Sequence, residues 1–197
     1  MARSPLVEAA VAWVQAHYWN APHLVRALEW LEQLDPAADE AVQLATVLHD
    51  IERAFPGPEA PVWDATRGPD DPDYNRRHAE RSARIAGQIL ADLGAGPALS
   101  ARVQALIAAH EEGGWPEADL VQAADSLSFL ETNVDLVLRW LATGQHGVGP
   151  AEALAKLRYM RDRIRLPQAR PLAARLYAQA VARVQEALRA GGPNRAL

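Results

Sequence analysis

Apolar residues recur at three- and four-residue spacing through almost the whole chain, and no run alternates apolar with polar residues as a half-buried strand would. This periodicity predicts helices over roughly residues 5–19, 22–34, 37–54, 74–93, 98–112, 117–143, 150–165 and 168–190. Breakers separate them: Asn20-Ala21-Pro22, Asp35-Pro36, Gly94 to Pro97, Gly113-Gly114, Gly144 to Pro150, and Pro167. The expected fold class is all-α.

A length of 197 residues with 49% hydrophobic and 23% charged residues suits one packed domain over 1–197. The absence of cysteine excludes disulfides, thiolate zinc sites, iron–sulfur clusters and a cysteine nucleophile. A net charge of −5 argues against a dedicated nucleic-acid binder. No apolar run approaches the ~18 residues of a membrane span. The start, Met1-Ala2-Arg3-Ser4-Pro5, leads into an amphipathic stretch rather than a signal peptide. A cytoplasmic domain with no membrane partner is expected. Its 20 basic residues comprise 19 arginines and one lysine, Lys156. Arginine suits phosphate through its planar fork of donors, although a GC-rich coding sequence produces the same bias.

One long irregular stretch, Pro56 to Asp73, holds five prolines and four aspartates. It lies between a His-Asp pair and another histidine, which suits a flap over a site as well as a surface insertion.

Helical geometry sorts the six histidines by direction. His110 continues the buried series Val103, Leu106, Ile107, and His78 lies in line with Ser82, Ile85 and Ile89. His23 stands at a helix start beside Arg26, Ala27 and Trp30. His49 and Asp50 close a helix whose apolar side is Leu44, Val47, Leu48 and Ile51. Asp125 falls between Val121 and Phe129 on an apolar stripe. His17, at a helix end, and His146, in a glycine-flanked loop, are expected outside this group. A lone inward histidine is ordinarily a hydrogen-bonded core residue, and a buried aspartate can cap a helix. Four inward histidines and two carboxylates in one small domain are harder to satisfy separately, because each unpaired buried carboxylate costs several kcal/mol. A shared cation satisfies all six, imidazole and carboxylate suit borderline metals, and six ligands favour two ions.

These residues resemble the HD superfamily of metal-dependent phosphohydrolases. The resemblance rests on His23 in His-Leu-Val-Arg-Ala, the doublet in Leu-Ala-Thr-Val-Leu-His49-Asp50-Ile, and Asp125 in Ala-Ala-Asp-Ser-Leu-Ser-Phe-Leu, and covers about residues 20–131. His78 and His110 resemble the two extra ligands of dinuclear members. The gaps of 26, 28, 32 and 15 residues along 23→49, 50→78, 78→110 and 110→125 each leave room for one helix. The resemblance implies an HD helical bundle with extra C-terminal helices, at about 150–190, packed on it. It also implies His23, His49, Asp50 and Asp125 around one metal, with Asp50 bridging to a second held by His78 and His110. Iron or manganese is the first expectation, ahead of zinc, magnesium, cobalt and nickel. A metal-activated hydroxide would attack phosphorus, a step that a two-metal site supports at neutral pH.

Two departures stand out. Many members read His-Asp-Ile-Gly-Lys, whereas this chain reads His49-Asp50-Ile51-Glu52-Arg53, so Arg53 would take the catalytic cation's role and Glu52 replaces a small residue. The string after His110, His-Glu-Glu-Gly-Gly-Trp-Pro-Glu, echoes the HD-GYP phosphodiesterases only locally. Arg26, Arg77 and Arg81 are the candidate phosphate contacts, with Arg158, Arg161, Arg163 and Arg165 as a second basic cluster that also suits a solvated face. Trp63 and Tyr74 are candidates to stack on a base.

The leading expectation is hydrolysis of a phosphoester or phosphoanhydride in a nucleotide-like small molecule, dinucleoside polyphosphates included. Two alternatives stay open: an HD-type mixed-valent di-iron oxygenase, and a non-catalytic HD module that senses a nucleotide. Leu172, Leu176, Tyr177 and Val181 on the last helix suit either a core or a homodimer.

Overall fold

The structure is a computed structural model that describes residues 3–190. Among these residues there are nine α-helices and no strand: α1 (Pro5–His17), α2 (Ala21–Leu34), α3 (Glu40–Leu48), α4 (Pro72–Asp92), α5 (Pro97–Ala109), α6 (Pro116–Thr132), α7 (Val134–Thr143), α8 (Pro150–Asp162) and α9 (Arg170–Ala190). Five of them open on proline, whose fixed φ and missing N–H suit a first turn. Side chains complete several starts: Ser4 caps α1, Asp39 caps α3 through the Ala41 and Val42 amides, and Asp71 caps α4. No helix among the described residues is long and apolar enough to cross a membrane.

Helix α6 forms the axis of the bundle. Every residue from Val121 to Leu130 is buried, so this helix has no solvent face along that stretch. It packs against α2, α3, α5, α7, α8 and α9, and α4 lies against α5. Helices α8 and α9 rest on this core: Leu157, Met160, Ala173, Leu176, Ala180 and Val184 are buried, and Leu172, Tyr177 and Val181 pack partly buried against it. The apolar residues of the last helix therefore serve the core in the single chain.

Two expected helices are broken. The segment 37–54 unwinds at Asp50 (φ −101°, ψ 9°) into a 3-10 turn, Ile51–Ala54. The cause is local: His49 Nδ1 takes the Thr46 carbonyl at 2.8 Å, the acceptor that another α-turn would give to the Asp50 amide. The segment 117–143 breaks at Asn133, whose side-chain oxygen accepts from Asn20 Nδ2 at 3.2 Å. Between α5 and α6 the chain turns through Gly113 and Gly114, at φ +69° and +120°. A Cβ on Gly113 would lie 2.3 Å from an Asp119 carboxylate oxygen, so glycine is needed for the turn that sets α5 beside α6.

Candidate metal centre

Three helices and the C-terminal ends of two more deliver the clustered residues. His23 sits in the first turn of α2, His78 mid-way along α4, and Asp125 in the buried stretch of α6. His49 and His110 are the C-cap residues of α3 and α5, and each turns its ring back on its own helix. All four histidines are at most 1% exposed.

Each of the six side chains is held by the atom that faces away from the others. His49 Nδ1 donates to the Thr46 carbonyl at 2.8 Å and His110 Nδ1 to the Ile107 carbonyl at 2.7 Å. His23 Nδ1 donates to Ser128 Oγ at 2.9 Å, while that hydroxyl donates its own hydrogen to the His23 carbonyl at 2.7 Å. His78 Nδ1 donates to Glu52 Oε1 at 3.0 Å. In the neutral rings these partners leave each Nε2 as a lone pair, the arrangement that outer-shell groups impose on metal-binding imidazoles. The carboxylates divide in the same way. Asp50 turns Oδ2 to Arg53 and Oδ1 to His78, and Asp125 turns Oδ2 to Arg163 and Oδ1 to His23 and His49.

The inward atoms converge. The rings form a row, with centroids 5.4 Å apart from His23 to His49, 5.1 Å from His49 to His110 and 5.5 Å from His110 to His78. Donor atoms fall into three overlapping groups, each within 4.8 Å: His23, His49 and Asp125; His49, Asp50 and His110; and His78, His110 and Glu111. Nε2 of His49, His78 and His110 is buried without a hydrogen-bond partner. His78 Nε2 lies only 2.8 Å from Asp50 Oδ1, yet off the line that a hydrogen bond requires. Buried, orphaned nitrogens beside carboxylate oxygens fit a bound cation, since two ligands about 2.1 Å from one ion sit roughly 3–4 Å apart.

The charges agree. Burial opposes ionisation of Asp125 and Asp50, but Arg163 with His49 and His23, and Arg53 with His78 and His49, hold both carboxyls well below the usual range. Burial also opposes charge on His49, and Asp125 overrides it, raising the imidazole to about 9. Burial pushes His110 down to about 4, with Glu111 opposing and His49 and His78 adding to the push. Without a metal, a proton on His49 thus stands in for the cation the carboxylates require.

His23, Asp50 and Asp125 of the cluster, with Glu52 and Glu111, form the floor of a cavity of about 470 Å³, and His49, His78 and His110 lie behind them. Its other walls come from Pro56 to Trp63, from Phe129 and Trp140, and from Lys156 and Met160 on α8. The proline-rich loop is thus a cavity wall. Trp63 and Tyr74 both line the cavity, Tyr74 stacked on His78 with centroids 5.7 Å apart. His146, expected in an exposed loop, instead lines the cavity and packs against Trp63 and Trp140. His17 lies outside, exposed and stacked on Trp13.

No protein-family model matches the chain, and no curated protein matches it in sequence. Solved structures match it in shape. The selenomethionine form of Bacillus subtilis YpgQ aligns with a TM-score of 0.62 at 18% identity, over 98% of this chain and 97% of its own. A predicted HD superfamily hydrolase from an uncultured Thermotogales bacterium aligns with a TM-score of 0.51 at 21% identity, over 95% and 90%. The fold is of the HD type. The sequence resemblance at about 20–131 and the shape likeness over nearly the whole chain point to the same architecture.

Within that HD fold, sequence reasoning missed three groups. Glu52, noted only as a departure, is 2% exposed and is the carboxylate that orients His78. Glu111, next to His110, contributes a donor to the third group and pairs with Arg163. Arg163, one of four arginines near the end of α8, bridges Glu111 and Asp125 with its side chain 5% exposed. Burial opposes ionisation of Glu111, and Arg163 overcomes it, lowering that carboxyl to about 2.

The expected phosphate contacts are not brought to the cavity. Arg26 is engaged by Glu131 and Glu29, Arg81 by Glu52 and the Phe55 carbonyl, and Arg77 is exposed on α4. Glu131 and Glu52, both distant in sequence, take part in holding the first two, with Glu29 one turn along α2 joining on Arg26. Arg53 does line the cavity, with its Nε 3.1 Å from Asp50 Oδ2.

Proposed function

We propose that this chain is a metal-dependent phosphohydrolase acting on a small, nucleotide-like phosphorylated substrate, with His23, His49, Asp50, His78, His110 and Asp125 as ligands for divalent metal. The observation that carries this reading is the division of labour in the cluster: outward atoms anchored by protein partners, inward lone pairs converging under a cavity.

Divalent cations held by these residues would supply an acidified water and offset charge on phosphoryl oxygens. The chain supplies the rest. Glu52, Ser128 and the Thr46 and Ile107 carbonyls fix the imidazole tautomers. Arg53 orients Asp50 and presents a guanidinium to the cavity, where a phosphate oxygen can replace part of its contact with the carboxylate. Trp63, Tyr74 and Trp140 give flat apolar surfaces that suit a base, and the 56–63 segment keeps bulk water from one side of the floor.

The test is phosphate release from nucleoside mono-, di- and triphosphates and dinucleoside polyphosphates by manganese- or iron-loaded protein. Release by the wild type and loss of it in His49→Ala and Asp50→Ala is expected. Unchanged release in both variants overturns the assigned site. Oxygen uptake by the iron-loaded protein without phosphate release replaces the hydrolase with the oxygenase alternative.

A further inference from the structure

Among the described residues, Arg53 and Lys156 are the two arginine or lysine side chains that line the cavity. Arg53 is already paired with Asp50. Lys156 has no carboxylate among the described residues within ion-pairing distance. Its ammonium is held instead between three aromatic faces, 5.6 Å from the ring centre of Trp63, 5.4 Å from Phe129 and 5.2 Å from Tyr159. These rings come from the loop, from α6 and from α8, so three separate parts of the chain fix one charge in place.

Cation–π contact steadies such a charge without neutralising it, because ring quadrupoles carry no net charge. A half-buried ammonium lacking an acidic partner is therefore short of an anion. Phe129 also packs edge-on against the His23 ring at 6.3 Å, and the Tyr159 hydroxyl reaches Glu111 Oε2 at 3.4 Å. Lys156 thus stands one ring away from the cluster on two sides, in the same cavity.

We propose that Lys156 is a specificity-determining residue that pairs with a second anionic group of the substrate, a phosphate lying away from the metal cluster. The aromatic frame sets the distance from floor to ammonium, and so selects substrates whose second charge falls at that distance. This deepens the hydrolase reading and rests on it for the substrate's reacting end.

The sole lysine makes a direct test available that needs no turnover. Manganese-loaded full-length protein is acylated with an amine-selective ester in the presence of inorganic phosphate, pyrophosphate or tripolyphosphate at matched ionic strength. Modification of the Lys156 peptide is followed by mass, with metal content checked afterwards. The longer anions are expected to slow acylation of Lys156 several-fold more than inorganic phosphate does, as ion pairing withdraws the amine. In turnover, Lys156→Met is expected to raise KM for a polyphosphate substrate about ten- to a hundredfold, with metal content unchanged and partial rescue by Lys156→Arg. Acylation indifferent to every anion, with wild-type KM in Lys156→Met, overturns the proposal and leaves the lysine as a packing element. Protection by pyrophosphate in a protein that hydrolyses nothing removes the hydrolase reading while the anion site stands.

Discussion

The floor and the opposite wall of the cavity are built on contrary plans. On the floor, every imidazole and carboxylate is fixed by a hydrogen bond or ion pair behind it, so ring orientation is set before any ligand arrives. Across the cavity, the rings of Trp63, Trp140 and His146 meet tilted or edge-on at 5.2 to 5.9 Å, and Lys156 rests on rings. Contacts of that kind tolerate sliding by fractions of an ångström, whereas metal ligands do not. The difference separates reaction from recognition: rigidity is concentrated where atoms must meet a cation, and adaptable surface where a substrate body is received.

The comparison can be broken most sharply from the floor. Asp50→Ala and His49→Ala are expected to abolish activity and reduce metal per chain, read by elemental analysis, while circular dichroism stays helical. Next in size is Arg163→Met, which strands two buried carboxylates; a loss of about 3–5 kcal/mol is expected in denaturant melts of metal-free protein. Manganese should recover part of it, and an equal loss with and without metal would detach Arg163 from the cluster. His78→Ala is expected to lower metal from about two equivalents to about one, the count that six ligands favour. Unchanged content would make the centre mononuclear. Changes on the aromatic wall should act differently: Trp63→Ala is expected to raise KM several-fold with metal content intact, and lost metal there would erase the distinction between floor and wall.

The smallest effect concerns protons. In the metal-free protein His49 titrates near 9, above its ordinary value near 6.5, because Asp125 overrides burial. Its contribution to metal-free stability is therefore complete below about pH 6.5 and lost as pH rises to about 9. Manganese needs the unprotonated ring, so binding at pH 7.5 should release about one proton, fading above pH 9. Calorimetry in buffers of different ionisation enthalpy reads that number, and none released at pH 7.5 would refute the protonated cluster.

The sequence made the bundle legible because proline marks helix starts and each inward histidine shares a face with apolar neighbours, as His110 does with Leu106 and Ile107. The six clustered residues were legible for the same reason. Their supports were not. Whether Glu52 turns towards His78 depends on a 3-10 turn that helical periodicity does not encode, since 37–54 keeps its apolar rhythm straight through the break. Arg163 is indistinguishable in composition from Arg161 and Arg165, and only the end of α8 at Asp162 decides which of them is turned inward. Arg81 reads as a free cation because Glu52 lies 29 residues away, and the bidentate partner of Arg26, Glu131, lies 105 residues away from it.

Arg163 carries one more consequence. It closes α8 and grips Asp125 and Glu111 by oxygens on the side away from the imidazoles. Cations held on the floor would compete for the electron density of those same carboxyl groups, and the grip is expected to be tighter in the metal-free protein. Amide exchange at the end of α8 is then expected to follow the occupancy of a centre to which that helix contributes no ligand.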